Sequence, residues 1–372
     1  NGEERKLAME GHTVHFDGPQ DQARDKERTC YLLPPELDLG SRINSIDREE
    51  GLNEIRGLLD GIMEGKEVFI LFFCLGPTFS RFSLPCVQIT DSAYVAHSET
   101  ILYRRGYAYF QSLDEDADFF GFVHSAGELE NNVSKNVDAR RVYIDVVENT
   151  VFSTNTQYAG NTVGLKKLAL RLAIRKADRE EWLAEHMLLM GVHGPAGRVT
   201  YFSGAFPSAC GKTSTAMAAG ETIVGDDIAY LKGDEGKCFA ANVECGIFGI
   251  IQNVNPEDDP VIWDVLTAPG EVIFSNVLIT DEGIPYWLGD NRDVPESGIN
   301  FSGRWEKGKV DTMGNPIPHS HKNARYTVSI SRLKNRDSRA DDPQGVELKG
   351  IFFGGRDSDT WVPVERSFDW AH

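Results

Sequence analysis

The sequence predicts a mixed α/β fold arranged in two lobes, on three observations. The chain has 372 residues, more than one small domain accommodates, so two lobes are the natural division. Short β-prone runs alternate with segments whose apolar residues recur at helical spacing. Residues 199–232 read as a strand, a small-residue loop, a helix and a second apolar strand, the organisation of a phosphate-binding lobe.

Composition narrows the class. Apolar content of 41% and charged content of 26% are globular values. The net charge of −19 argues against nucleic acid or an anionic membrane as partner. It also requires any phosphate site to be locally positive, so clustered Lys and Arg matter. Cysteines stand at positions 30, 74, 86, 210, 238 and 245, and no Cys-x-x-Cys occurs. Neither a disulfide scaffold nor a zinc ribbon is indicated, and reduced thiols of a cytoplasmic protein fit best. The longest apolar run, residues 68–75, has the length of a strand and not of a membrane span. The N-terminus has no signal-peptide pattern.

Taken in order, residues 1–30 are polar, and the charged run 23–29 reads by default as surface. Leu52, Ile55, Leu58, Leu59 and Ile62 recur at helical spacing, which predicts an amphipathic helix over 51–65. Residues 68–73, 86–89, 101–103 and 142–147 read as strands, and 112–118 and 125–140 as loops. A helix is expected over 168–185. The β-prone run 199–202 is a strand, 204–211 a loop, and 212–219 a helix. The lobes divide as 1–180, for substrate, and 181–372, for the phosphoryl donor.

The helix that opens Gly211-Lys212-Thr213 carries the chemistry. Backbone N–H groups from Ser208, Ala209 and Gly211 and the helix N-terminus would face an anion, Lys212 would add positive charge, and Thr213 would offer its hydroxyl to a phosphate-bound Mg²⁺. The usual pattern has glycine where Phe206 stands, and a bare Gly-Lys-Thr also fits a surface turn. Asp226 and Asp227 end the next strand. Adjacent carboxylates there hold divalent cations or form a solvated acidic turn.

The segment from Phe206 through Pro207, Ser208, Ala209, Cys210, Gly211 and Lys212 to Thr213 resembles the kinase-1a loop of the GTP-type phosphoenolpyruvate carboxykinases. Val224-Gly225-Asp226-Asp227-Ile228-Ala229 resembles their kinase-2 motif. Further likenesses lie at Gly76-Pro77, at Thr90 to Val95, in the motif from Tyr158, Gly160 and Asn161 to Lys166-Lys167, and in the octapeptide from Glu181 to Leu188. Asn323-Ala324-Arg325-Tyr326 and Phe353-Gly354-Gly355-Arg356 match later motifs. The likeness spans nearly the whole chain but only part of the family's length.

The resemblance implies a two-lobed carboxykinase fold and interconversion of oxaloacetate with phosphoenolpyruvate and CO₂ by a phosphoryl donor. It implies Lys167, His186 and Asp227, with Asp226 adjacent, as ligands of Mn²⁺, and a second Mg²⁺ or Mn²⁺ beside the donor at Thr213. An amine ligates only when neutral, so the cation must pull the lysine pKa down from ~10.4. Arg24, Tyr158, Gly160 and Asn323 would bind substrate, and Cys210, Lys212, Arg325 and Arg356 would serve catalysis, the arginines gripping the transferring phosphoryl group. Without the resemblance, Lys166 and Lys167 read as surface lysines and His186 as a core histidine. Cys245, the stretch 250–256 and Asp357 depart from the family pattern. These departures favour pyrophosphate, yielding phosphate, over GTP, yielding GDP. A non-catalytic phosphate- and metal-binding module leaves the retained ligand set unexplained, and a P-loop small-molecule kinase leaves the Tyr158-to-Lys167 motif unexplained.

Overall fold

The computed structural model describes residues 2–22, 25–158, 166–206 and 211–355, and of Lys167 and Thr213 only the backbone. Arg24, Gly160, Ser208, Ala209, Cys210 and Arg356 lie outside the described residues.

Sheets dominate. The first has eight strands in the order Ser45–Asp47, Thr29–Leu33, Arg141–Asp145, Thr150–Thr154, Phe120–Ser125, Leu84–Thr90, Phe69–Leu75, Arg104–Arg105. The helix Arg48–Leu59 lies on it. Asp47 caps this helix by accepting from the Glu50 N–H at 3.1 Å, and Leu52 and Ile55 bury against Leu32 and Tyr143. Arg48 fixes the helix start through a fork onto Asp145, at 3.0 and 2.8 Å.

The second sheet has seven strands: Leu183–Glu185, Ala229–Asp234, Lys237–Asn242, Val346–Phe353, Val199–Ala205, Leu188–His193, Thr222–Gly225. The strand Val199–Ala205 runs inside it, parallel to Val346–Phe353 and antiparallel to Leu188–His193, and the phosphate-loop residues follow its C-terminal end. The helix after the loop, Lys212–Ala216, is shorter than the sequence suggests. A third sheet of five strands joins Arg5–Lys6 and His12–His15 to Val272–Ser275, Arg325–Ser329 and Gly246–Ile250. One core cluster spans the first two sheets, with Phe73, Phe122 and Val142 beside Trp182, Tyr230 and Val243.

Three further expectations change. Residues 101–103 are not a strand: Ile101 and Leu102 complete the helix Ala93–Leu102, which Ser92 caps through the Val95 N–H at 3.2 Å. The cap and the buried face of Tyr94, Val95, Ile101 and Leu102 outweigh a three-residue β-prone run. The loop expected over 125–140 contains a short antiparallel pair, Leu129–Glu130 with Val133–Ser134, turned by Asn131 and Asn132 at positive φ. The helix expected over 168–185 is a wide i→i+5 turn, Lys167–Leu172, followed by an α-helix, Ala173–Glu180. Glu181 is left-handed at φ 59 and stops it, and Leu183–Glu185 becomes a strand paired with Ala229–Asp234. In the charged run 23–29, Lys26 and Glu27 are exposed as expected, while before it Glu3, His12, His15, Asp17, Asp21 and Gln22 are buried.

Candidate active site

The strand formed after Glu181 places the first two site residues. Glu185 pairs with Ala229, so the next residue on one strand, His186, meets the residues just before the other. His186 Nε2 lies 2.6 Å from Asp227 Oδ1. Gly225, just before the Asp pair, has to be glycine, because a Cβ there would sit 2.1 Å from Asn242 Oδ1.

Asp227 gathers positive groups. Lys212 Nζ donates to its Oδ1 at 2.7 Å, and the Lys166 ammonium pairs with its Oδ2. Burial works to raise the Asp227 pKa, but Lys166, Lys212 and His186 hold it well below the usual carboxylate range. Burial also works against the charge of Lys212, yet Asp226 and Asp227 hold its pKa above the ordinary lysine value. Lys212 reaches this position from the first turn of its helix and also donates to the Asp226 backbone carbonyl. A chain of net charge −19 thus concentrates two lysines and a histidine on one carboxylate.

Behind this cluster stands a buried acid that sequence reasoning did not single out. Burial, then the negative charge of Asp227, pushes Glu244 up to about 8, so it carries a proton at neutral pH. Its Oε1 accepts from the Tyr103 hydroxyl at 3.2 Å. The only sequence signal was an acid inside the apolar run 243–250.

A second group forms around Tyr158, which is 1% exposed. Its hydroxyl accepts from Asn323 Nδ2 at 2.9 Å and from Arg325 Nη2 at 3.1 Å. Arg325 also donates to Asn323 Oδ1 at 2.8 Å, and its guanidinium lies 5.2 Å from the Phe248 ring centre. Tyr158, Asn323 and Arg325, which sequence reading linked only through motifs, are therefore mutual partners. Phe248 and Lys166 were not among the expected site residues. Lys166 was hidden because two adjacent lysines look alike in the sequence.

The donor chemistry fits a divalent cation. An imidazole nitrogen, a carboxylate and a lysine amine converge, and the Asp226 Oδ1 nearby is buried without a hydrogen-bond partner. Among the described residues no three His, Cys, Asp or Glu side chains form a metal-holding group. Five described cysteines are free thiols. No helix among the described residues is long and apolar enough to cross a membrane.

Known proteins resemble this chain over its whole length. Residues 1–178 match the family model of the phosphoenolpyruvate carboxykinase N-terminal domain, and residues 182–372 that of the phosphoenolpyruvate carboxykinase C-terminal P-loop domain. The chain is 58% identical to a protein of Thermococcus sibiricus over all of its own length and 60% of the relative's. It is 48% identical to one of Saccharolobus solfataricus, covering 100% and 58%, and 36% identical to one of Chlamydia muridarum, covering 95% and 60%. Each is named phosphoenolpyruvate carboxykinase (GTP). The chain thus spans about 60% of the length of these curated relatives. With the two family models matching residues 1–178 and 182–372, and a relative 58% identical over the whole chain, the chain belongs to the GTP-type phosphoenolpyruvate carboxykinase family.

Proposed function

We propose that this protein is a GTP-dependent phosphoenolpyruvate carboxykinase, converting oxaloacetate and GTP to phosphoenolpyruvate, CO₂ and GDP. The observation that carries this reading is the convergence of His186 and a lysine amine on Asp227, with Lys212 of the phosphate turn on the same carboxylate. Residues 1–180 would serve mainly the substrate and 181–372 the donor.

The donor is GTP in our reading, as in the relatives' names. The departures from the family pattern are better explained by packing than by a change to pyrophosphate, a preference that no relative supports. Cys245 donates its thiol to the Ile101 carbonyl at 3.6 Å, and Ile251 and Val254 are buried in a core cluster. Asp357 lies outside the described residues.

His186, Asp227 and one of Lys166 or Lys167 would hold the cation, Mn²⁺ in our reading, and a second divalent ion would accompany the donor near Thr213. When bound, the cation supplies the positive charge that offsets the charge developing on the substrate as CO₂ departs. The lysine that ligates has to release its proton, while Lys212 stays charged. Lys212, kept charged by Asp226 and Asp227, is placed to neutralise the transferring phosphoryl group. Tyr158, Asn323 and Arg325 present a prearranged set of polar groups for the substrate, and Arg24, Gly160, Cys210 and Arg356 retain the roles their motifs imply.

The test is product formation from oxaloacetate by the intact native protein with Mn²⁺ and either GTP or pyrophosphate. We expect phosphoenolpyruvate with GTP. Turnover with pyrophosphate alone overturns the donor, and no CO₂ release with either overturns the reaction class.

A further inference from the structure

Arg140 occupies a place that no motif marks. Its side chain is 7% exposed. Nη1 donates to Asp21 Oδ1 at 2.8 Å and to the Gln20 carbonyl at 3.3 Å, and Nη2 donates to Asp25 Oδ2 at 2.9 Å. One guanidinium therefore bonds residues on both sides of the dipeptide 23–24, which includes Arg24. Its buried Nε has no hydrogen-bond partner. The side chain is thus placed for what its two terminal nitrogens bridge.

Asp21 extends the connection. Besides Arg140, its carboxylate accepts from the Thr156 hydroxyl and from the Gln157 N–H, both at 2.6 Å. The next residue is Tyr158. Gln22, beside Asp21, offers its carbonyl to Asn323 Nδ2 at 2.6 Å, the same amide that donates to the Tyr158 hydroxyl. The buried pair thus links the flanks of Arg24, the backbone leading into Tyr158, and Asn323. A buried ion pair is a poor stabiliser against an apolar replacement of similar size, but it fixes geometry well.

We propose that Arg140 is a positioning residue for the substrate. By bridging Asp21 and Asp25 it fixes Asp21, and through Asp21 and the adjacent Gln22 it holds this strap in register with Tyr158 and Asn323. The ligand served is the carboxylate-bearing substrate, oxaloacetate or phosphoenolpyruvate, and not the nucleotide. This inference rests on the carboxykinase reading above.

Arg140→Lys keeps the charge but cannot bridge two carboxylates with a fork. In the intact native protein we expect it to raise the KM for oxaloacetate by about tenfold, the effect of one charge-assisted hydrogen bond. The KM for GTP should stay within about twofold, and the unfolding midpoint within a few degrees. Asp25→Asn, at the more exposed end of the bridge, should move the same KM in the same direction, by about threefold, and serves should Arg140→Lys not fold. An unchanged oxaloacetate KM, or a parallel rise in both, assigns Arg140 a structural role only and overturns the proposal. Absence of oxaloacetate turnover in the wild-type protein would instead overturn the carboxykinase reading, and this inference with it.

Discussion

Replacing Glu244 with glutamine tests the electrostatics of the site quantitatively. Folding raises this carboxyl from 4.5 to about 8, through burial first and the charge of Asp227 second. The difference corresponds to on the order of 5 kcal/mol between its two protonation states. The sign follows from proton counting. Between the two values the folded protein holds a proton that the unfolded chain has released. Stability from this group therefore grows as pH falls from about 8 towards about 4.5, with a limiting slope of about 1.4 kcal/mol per pH unit. From about pH 8 to about pH 6, curvature reduces the gain to about 2 kcal/mol. The amide introduced by Glu244→Gln would keep an acceptor for the Tyr103 hydroxyl and could not titrate. Asp21 is also raised, to about 6, by burial and Asp17, but it is common to both proteins and cancels in the difference. The assay is urea unfolding of the metal-free protein followed by tryptophan fluorescence across this range. Wild type should gain about 2 kcal/mol relative to Glu244→Gln on going from about pH 8 to about pH 6. Parallel curves would refute the reasoning, as would a wild type that loses relative stability on acidification.

Other substitutions separate the roles of the two clusters. Tyr158→Phe removes the hydroxyl that Asn323 and Arg325 share; the KM for oxaloacetate should rise about tenfold and that for GTP should not, by steady-state kinetics. Lys212→Met should lower kcat by about 10²–10³-fold, the scale of losing one preorganised donor to transition-state charge, with the protein still folded by circular dichroism. Asp145→Ala strips the fork partner from Arg48, at the start of the helix Arg48–Leu59; thermal unfolding should reveal a loss of about 3 kcal/mol while both KM values hold.

The parts of the site legible in the sequence are those fixed by local chemistry. A β-prone run and Gly-Lys-Thr specify the strand and the helix, and the Asp pair follows one strand later. His186 was legible through its octapeptide, yet the reason it meets Asp227 was not. That reason is the left-handed Glu181 and the ladder between Leu183–Glu185 and Ala229–Asp234, a pairing between segments distant in the chain. Helical periodicity over 168–185 concealed it. That Lys166 reaches Asp227 was not legible either, because the wide turn Lys167–Leu172 that follows it has no periodic signature. The burial of polar residues near the N-terminus had no sequence signal at all. Glu3 is buried as a cap on the Ala93 N–H at 3.0 Å, and Asp21 is buried by Arg140, Thr156 and Gln157. Burial of charge paired over such distances leaves no periodic trace.

The central claim is that Asp227, with His186 and a lysine amine, holds the cation that makes the carboxykinase reaction possible. Its most direct test is the rate of GTP-dependent phosphoenolpyruvate formation from oxaloacetate in saturating Mn²⁺, wild type against Asp227→Asn. The account predicts a loss of at least about 10³-fold, about 4 kcal/mol of transition-state stabilisation. An Asp227→Asn protein that folds and keeps a rate within about tenfold of wild type would contradict it.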